Sequence, residues 1–220
     1  DNPEEAILRG HEAMVSFQQL GDEEGELDAL LLVTRAMTSL SRRKEADKLA
    51  REQLGRALLS GSKAAKAKSL LALAEVNADQ RGSKKREEAS TAAGTALGHF
   101  KDLEDRRHEA ASLIVQSHIC IKSKNPERQV RSANAIRLAS EARDICVEIG
   151  DVRSEAACLH AIASAHDLAS NHLECMMAAE EALDLYLDMA DPYSEAFELC
   201  CMAQWCANFA RWETALANAE

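Results

Sequence analysis

Hydrophobic residues recur three and four positions apart along almost the whole chain, the period that places them on one face of an α-helix. After Asp151 one such stripe, Leu159, Ile162, Ala163 and His166, runs to about Ala169, and a second continues through Cys175, Ala179, Ala182 and Leu185. The preceding stretch carries Leu113, Gln116, Ser117 and Cys120, then Ala135, Ala139, Ala142 and Ile145. The following one carries Leu199, Met202, Ala203 and Cys206, then Ala215 and Ala219. Each stretch predicts two amphipathic helices in succession.

The stretches are also copies of one another. Glu141-Ala142-Arg143-Asp144-Ile145 and Glu181-Ala182-Leu183-Asp184-Leu185 stand 40 residues apart, and Glu12-Ala13-Met14 begins the same pattern. Following it along the chain aligns Asp22, Ser62, Asp105, Asp151 and Asp191, all good N-cap residues, and glycine precedes three of the five at Gly21, Gly61 and Gly150. Glycine accepts the left-handed conformation that ends a helix, and Asp or Ser then accepts from the unsatisfied N–H groups of the next. These corners predict units at about 1–21, 22–61, 62–104, 105–150, 151–190 and 191–220: a second helix, four complete pairs and a final pair cut short. Small residues fall in fixed columns, Thr34, Ala74, Ser117, Ala163 and Ala203 in first helices and Ala6, Ala46, Ala89, Ala135, Cys175 and Ala215 in second helices, where they permit close crossing. Two units are longer than the others, which predicts extra residues in or beside loops at Arg81-Gly82-Ser83 and from Lys122 to Asn134. Asn2-Pro3-Glu4-Glu5 reads as a helix start with Asn as cap.

Composition agrees with an all-α chain. Hydrophobic residues make up 46 % but aromatics only 4 %, and three prolines with nine glycines are too few to punctuate many short strands. The net charge of −11 argues against nucleic acid as a global partner. Charge is polarised: Arg42, Arg43, Lys44, Lys48, Arg51, Arg56, Lys63, Lys66 and Lys68 meet only Glu45, Asp47 and Glu52, whereas the last fifty residues are acidic apart from Arg211. The basic stretch is either a solvated helix face or a docking patch. Seven cysteines, an odd number inside apolar helical patterns, point to buried thiols and a cytoplasmic or other reducing compartment. No apolar run is long enough to span a membrane. A start without Met and an end inside a helix-like segment suggest part of a longer protein.

The segments Ile162-Ala163-Ser164-Ala165-His166 and Glu180-Glu181-Ala182-Leu183-Asp184-Leu185 resemble the two signatures of the tetratricopeptide repeat family, at matching separation, and the resemblance extends from Pro3 to Glu220. It implies a right-handed superhelical solenoid of antiparallel helix pairs whose first helices line a concave groove that receives a peptide or helix of another protein. By alignment the groove centre would be Arg35, Glu75, His118, Ser164 and Gln204, with Leu31, Leu71, Ile114, His160 and Cys200 one turn earlier. The Lys, Asn and Arg residues with which chaperone-binding members clamp a terminal carboxylate are missing. Leu31, Leu71 and Ile114 beside Arg35 suggest instead a ligand with hydrophobic anchors and an acidic neighbour, unless those residues simply pack against adjacent helices. The sequence departs from the family in lacking the proline that closes the second helix, which runs on by about six residues, and in replacing most large aromatics by small residues.

Catalysis and metal binding find little support. Cys158, His160, His166, His172 and Cys175 are close in sequence but not at spacings that converge on one ion, and Cys200, one unit along from His160, has no oxyanion-donor loop or orienting third residue. No phosphate loop or dinucleotide fingerprint appears, so no cofactor is expected. The expectation is a non-catalytic scaffold holding a partner protein in its groove; the alternative is a structural subunit packed by its convex face or its ends in a larger assembly, where Trp205 and Trp212 would serve a following unit. A thiol- or metal-dependent enzyme comes last.

Overall fold

In the computed structural model the described residues are 3–78, 80, 82–124 and 127–217, with side chains through Ala210. The expected cap at Asn2, Arg81 of the first predicted loop, and the side chains of Trp212 and Ala215 lie outside them, as do Ala219 and Glu220. Among the described residues there are ten α-helices and no strand: α1 (Pro3–Leu20), α2 (Glu23–Ser39), α3 (Arg43–Ser60), α4 (Lys63–Ala78), α5 (Ser83–Asp102), α6 (Arg106–Lys122), α7 (Arg128–Ile149), α8 (Val152–Ala169), α9 (His172–Asp188) and α10 (Pro192–Ala217). Consecutive helices pack as neighbours within two compact units, Asp1–Lys122 and Ser123–Glu220.

The corners are built from a short local code. In five of them the residue before the cap is left-handed, Gly21, Gly61, Glu104, Gly150 and Ala190. The next residue then caps the following helix: the side-chain oxygens of Asp22, Ser62, Asp105, Asp151 and Asp191 accept from the backbone N–H groups of Gly25, Ala65, His108, Ser154 and Ser194 at 3.0–3.2 Å. In four of the five the backbone N–H of the capping Asp also closes the preceding helix, donating to the carbonyl of Phe17, Phe100, Cys146 or Tyr186. One aspartate thus ends one helix and starts the next, which leaves the chain no room except to reverse. The corners at Ser41-Arg42 and Ser170-Asn171 use the same left-handed turn without a side-chain cap.

In the unit ending at Lys122, α2, α4 and α6 lie side by side, and α1, α3 and α5 pack on them. The core is alanine-rich: Ala46, Ala50, Ala67, Ala72, Ala74, Ala89, Ala93 and Ala96 are fully enclosed, around Leu30, Leu71 and Phe100. Alanine lets helix backbones approach to where larger side chains would force them apart. Gly10 does the same for α1, since a Cβ there would lie 2.3 Å from Val33 Cγ2. In the unit from Ser123, α8 packs between α7 and α9, and α9 packs on α10. Its buried clusters are Ala163, Cys175, Ala178, Ala179 and Trp205, and Ala156, Leu159, Ala182 and Tyr186.

Of the expected small-residue columns, the interior members Thr34, Ala74, Ser117, Ala163, Ala46, Ala89, Ala135 and Cys175 are buried. Ala6 on α1 and Ala203 on α10 are exposed, because no described helix covers those faces. Three expectations are corrected. The residues from Arg128 to Asn134 are not loop but the first turns of α7, anchored where Ser132 Oγ donates to the Ala165 carbonyl at 2.7 Å and Arg128 donates to the Leu168 carbonyl at 2.6 and 3.0 Å. Residues 192–217 form one helix rather than the start of a pair, since Ala210-Arg211 supplies neither a left-handed residue nor a cap. Trp205 is buried in its own unit's core instead of waiting for a following one.

Ion pairs reinforce the packing over a regular distance. Arg35 pairs with Glu75, Lys68 with Asp28, Lys63 with Asp102 and Arg51 with Glu88 at 2.5–2.7 Å, and in the other unit Arg153 pairs with Asp191 at 2.7 Å and Arg143 with Glu181 at 3.0 Å. Every one of these pairs spans between 37 and 40 residues. Within the basic stretch of α3 and α4, Arg51, Arg56, Lys63 and Lys68 are met by acids of neighbouring helices, while Arg42 and Lys48 pair with Glu45 and Glu52 of the stretch itself.

Ala190→Gly is expected to stabilise the protein by about 0.5–1 kcal/mol, because a non-glycine left-handed residue is strained, whereas Asp151→Ala costs about 1 kcal/mol through loss of a cap. Urea unfolding of the two variants beside the parent measures both, and equal midpoints for all three would contradict the corner chemistry.

Candidate partner-binding surface

The two residue columns expected to face a ligand divide between the units. In the first unit, Leu31 is 3 % exposed and Leu71 fully enclosed. Both belong to the hydrophobic core and do the packing work that was the alternative for them. Ile114 and His118 on α6 are half-buried. The Arg35 side chain is 50 % exposed, but its guanidinium makes a two-pronged bond to the Glu75 carboxylate, Nε to Oε2 at 2.9 Å and Nη2 to Oε1 at 2.7 Å. Coulombic attraction to Glu75 raises the Arg35 pKa further above its already high value. The acidic neighbour expected of a ligand is thus supplied from within, by the next first helix.

In the second unit, His160 and Ser164 are half-buried, and Cys200 and Gln204 exposed, with Gln204 Nε2 donating to Asn208 Oδ1 at 2.9 Å. His160 is held from three sides. Its Nδ1 lies 2.7 Å from Oε2 of Glu198, whose side chain is wholly buried, and its ring lies 5.4 Å from that of Phe197 and 5.7 Å from that of Trp205. The imidazole's nearest acid is therefore a carboxylate on α10, and the contacts of its ring fix it against an aromatic wall.

The expectation of buried thiols holds for three of the seven cysteines; Cys200 and Cys206 are exposed and Cys120 and Cys201 half-buried. Cys146, Cys158 and Cys175 are enclosed, and all seven cysteines are free. The Cys158 thiol, hydrogen-bonded to Cys146 and desolvated, is held far above the usual thiol range, and burial pushes Cys175 up to about 12. The thiolate is thus disfavoured at Cys158 and Cys175, whereas the hydrogen bond with Cys158 lowers the Cys146 pKa. Among the described residues no group of three or more His, Cys, Asp or Glu side chains converges on a point where a metal ion would sit.

A cavity of about 250 Å³ opens at the α8–α9 corner, lined by Arg128, Asp167, Ser170, His172, Asn208 and Phe209. Burial raises the Asp167 pKa, partly opposed by Arg128, and His172 stacks on Phe209 at 4.1 Å. Nothing in the spacing of these residues announces the cavity. Arg128 is already engaged with the Leu168 carbonyl, so the site reads as the closure of the C-terminal end of α8.

The exposed apolar side chains lie elsewhere. Leu8 and Val15 on α1, Leu58 and Leu59 on α3, Val130 and Val147 on α7, Leu173, Met177 and Leu187 on α9, and Tyr193, Phe197 and Leu199 on α10 all stand out from the surface. Of the first helices other than α10, α2 contributes Leu32 and α8 contributes Val152. The sequence carries a signal for these positions, apolar residues falling off the core stripe of their helix.

No family model matches the chain, and no curated protein does so either. Among the described residues no helix is long and apolar enough to cross a membrane.

Two measurements test the electrostatics. A double-mutant cycle on Arg35→Ala and Glu75→Ala is expected to give a coupling of about 0.5–1 kcal/mol at low ionic strength, since the arginine is half exposed, and less at high salt; zero coupling at low salt would contradict the pairing. Burial lowers the His166 pKa below its ordinary 6.5, with Glu174 partly opposing. A depressed pKa contributes stability that is present above the ordinary value and is lost as pH falls through the folded one. The thermal midpoint should therefore drop between pH 7 and pH 5, and drop less in His166→Gln, as followed by circular dichroism.

Proposed function

We propose that this chain is a non-catalytic scaffold of tetratricopeptide-like helix pairs, part of a right-handed solenoid, that holds another protein, and that it does so chiefly through its second helices and α10. The observation that carries this reading is the distribution of exposed apolar side chains, which gathers on α1, α3, α7, α9 and α10. Protein surfaces that meet other proteins need such anchors, whereas a solvated face does not. The first-helix columns offer fewer: Leu31 and Leu71 are enclosed and Arg35 is engaged by Glu75. Support for the solenoid comes from ion pairs 37–40 residues apart that join successive equivalent helices, Arg35–Glu75 and Lys68–Asp28 between α2 and α4 and Arg51–Glu88 between α3 and α5. This is the structural-subunit form of the scaffold, in which the outer face or the ends do the work. Seven free thiols fit a reducing compartment.

The reading in which a peptide occupies the groove keeps one supporting feature, the cluster of His160, Phe197 and Trp205 beside exposed Cys200 and Gln204. Aromatic groups of this kind are common at binding hot spots.

Crosslinking of the native complex, mapped by mass spectrometry, separates the two. Crosslinks to the partner are expected from Lys44 and Lys48 on α3 and from the acidic side chains of α9. Crosslinks confined to first helices would move the working surface to the groove, and a native protein that sediments alone at cellular concentration would overturn the scaffold.

A further inference from the structure

The outer face of α9 combines exposed apolar side chains with exposed acids that have no basic partner among the described residues. His172–Asp188 is a helix of 17 residues, and Leu173, Met177 and Leu187 stand out along it, 69 %, 54 % and 49 % exposed. Glu180, Asp184 and Asp188 are exposed on the same face, between and beside the apolar positions. At about 100° per residue these six side chains fall within one third of the helix circumference. The face is therefore a ridge about 22 Å long on which an apolar pair, Leu173 and Met177, is followed by the acids Glu180 and Asp184 and then by Leu187 beside Asp188.

The acids on it are not spent internally. Glu181, just off this face, pairs with Arg143, and Asp191 beyond the helix end pairs with Arg153. Among the described residues no cation pairs with Glu180, Asp184 or Asp188. The surroundings reinforce the sign: residues 123–220 carry 17 acidic against 7 basic residues, and from residue 171 onward ten acids face a single arginine. The first unit is nearly balanced, with 20 acidic and 19 basic residues.

We infer that the outer face of α9 is the docking site for a basic amphipathic helix of a partner protein, one that sets apolar side chains against Leu173, Met177 and Leu187 and Lys or Arg against Glu180, Asp184 and Asp188. The chemistry selects this occupant. Nucleic acid and anionic membranes are repelled by the same carboxylates, and an acidic or purely apolar helix would leave three carboxylates desolvated without partners, which costs more than the apolar contact returns. A second copy would present the same negative field. A basic helix satisfies both halves of the surface, its apolar stripe giving area and its cations giving register and a fast encounter. The proposal rests on the scaffold reading and names the surface and the partner's chemistry.

The test uses the whole chain and a fluorescently labelled synthetic Leu/Lys amphipathic helix of about 18 residues, with a Leu/Glu helix of the same pattern as its counterpart, read by anisotropy. The Leu/Lys helix is expected to bind and the Leu/Glu helix not to. Glu180→Lys combined with Asp184→Lys should weaken binding at least tenfold, as should Leu173→Ser combined with Met177→Ser, while Glu23→Lys combined with Glu24→Lys on α2 leaves it unchanged. Circular dichroism confirms that each variant keeps its helicity, and the single change Leu173→Ser serves if a double variant does not. Binding that ignores the α9 changes, or that falls equally with the α2 changes, overturns the proposal. So does sedimentation showing a dimer that the α9 changes dissociate, which would make a second copy the occupant. Native crosslinks confined to α1 and α3 would defeat this proposal and leave the scaffold reading standing; a native protein without any partner would defeat the scaffold reading itself.

Discussion

Helix approach over alanine is the constraint from which the other features follow. With Ala46, Ala74, Ala89, Ala93, Ala135, Ala139, Ala163 and Ala179 fully enclosed at the crossings, the helices come close, but each buried methyl removes little apolar area from water. Cohesion must therefore be assembled from many dispersion contacts and supplemented by groups that reach past the crossing. Long charged side chains serve that purpose. Arg35, Lys68, Arg51 and Lys63 extend from one helix to an acid on another. A chain with larger core residues would need fewer such clasps and would place its helices further apart.

The corners solve a different problem. Helices joined by so few residues must end and begin almost at the same atom, and an aspartate whose N–H closes one helix while its carboxylate opens the next does both. Where the preceding residue is not glycine, as at Glu104 and Ala190, the left-handed turn persists because the hydrogen bonds on either side over-determine it. Electrostatics and turn chemistry thus divide the labour, corners setting direction and clasps setting the lateral register of neighbouring helices.

Much of this was legible from residue types because corner chemistry is local. Asp22, Ser62, Asp105, Asp151 and Asp191 could be aligned by spacing alone, and so could the interior small residues. The side-chain partners were not legible from the same pattern. Nothing next to Arg35 names Glu75, and the basic stretch from Arg42 to Lys68 looks uncompensated until neighbouring helices are laid beside it. Helix boundaries failed where propensity was permissive: the residues from Arg128 to Asn134 suit helix or loop, and bonds to α8 carbonyls decide in favour of helix. Leu31 and Leu71 show the limit of carrying a column across by alignment, since whether a leucine faces a ligand or a neighbouring helix depends on the crossing angle of the pair.

The regular span of the clasps also governs how the molecule comes apart. Contacts that reach no further than the next equivalent helix keep the contact order low, a topology associated with fast folding, and they tie each helix only to those beside it. Damage at one seam then has no direct route to a distant one. Within the unit from Ser123, opening can begin at α10, whose Ala203 face no described helix covers, while the α7–α8 and α8–α9 seams stay shut.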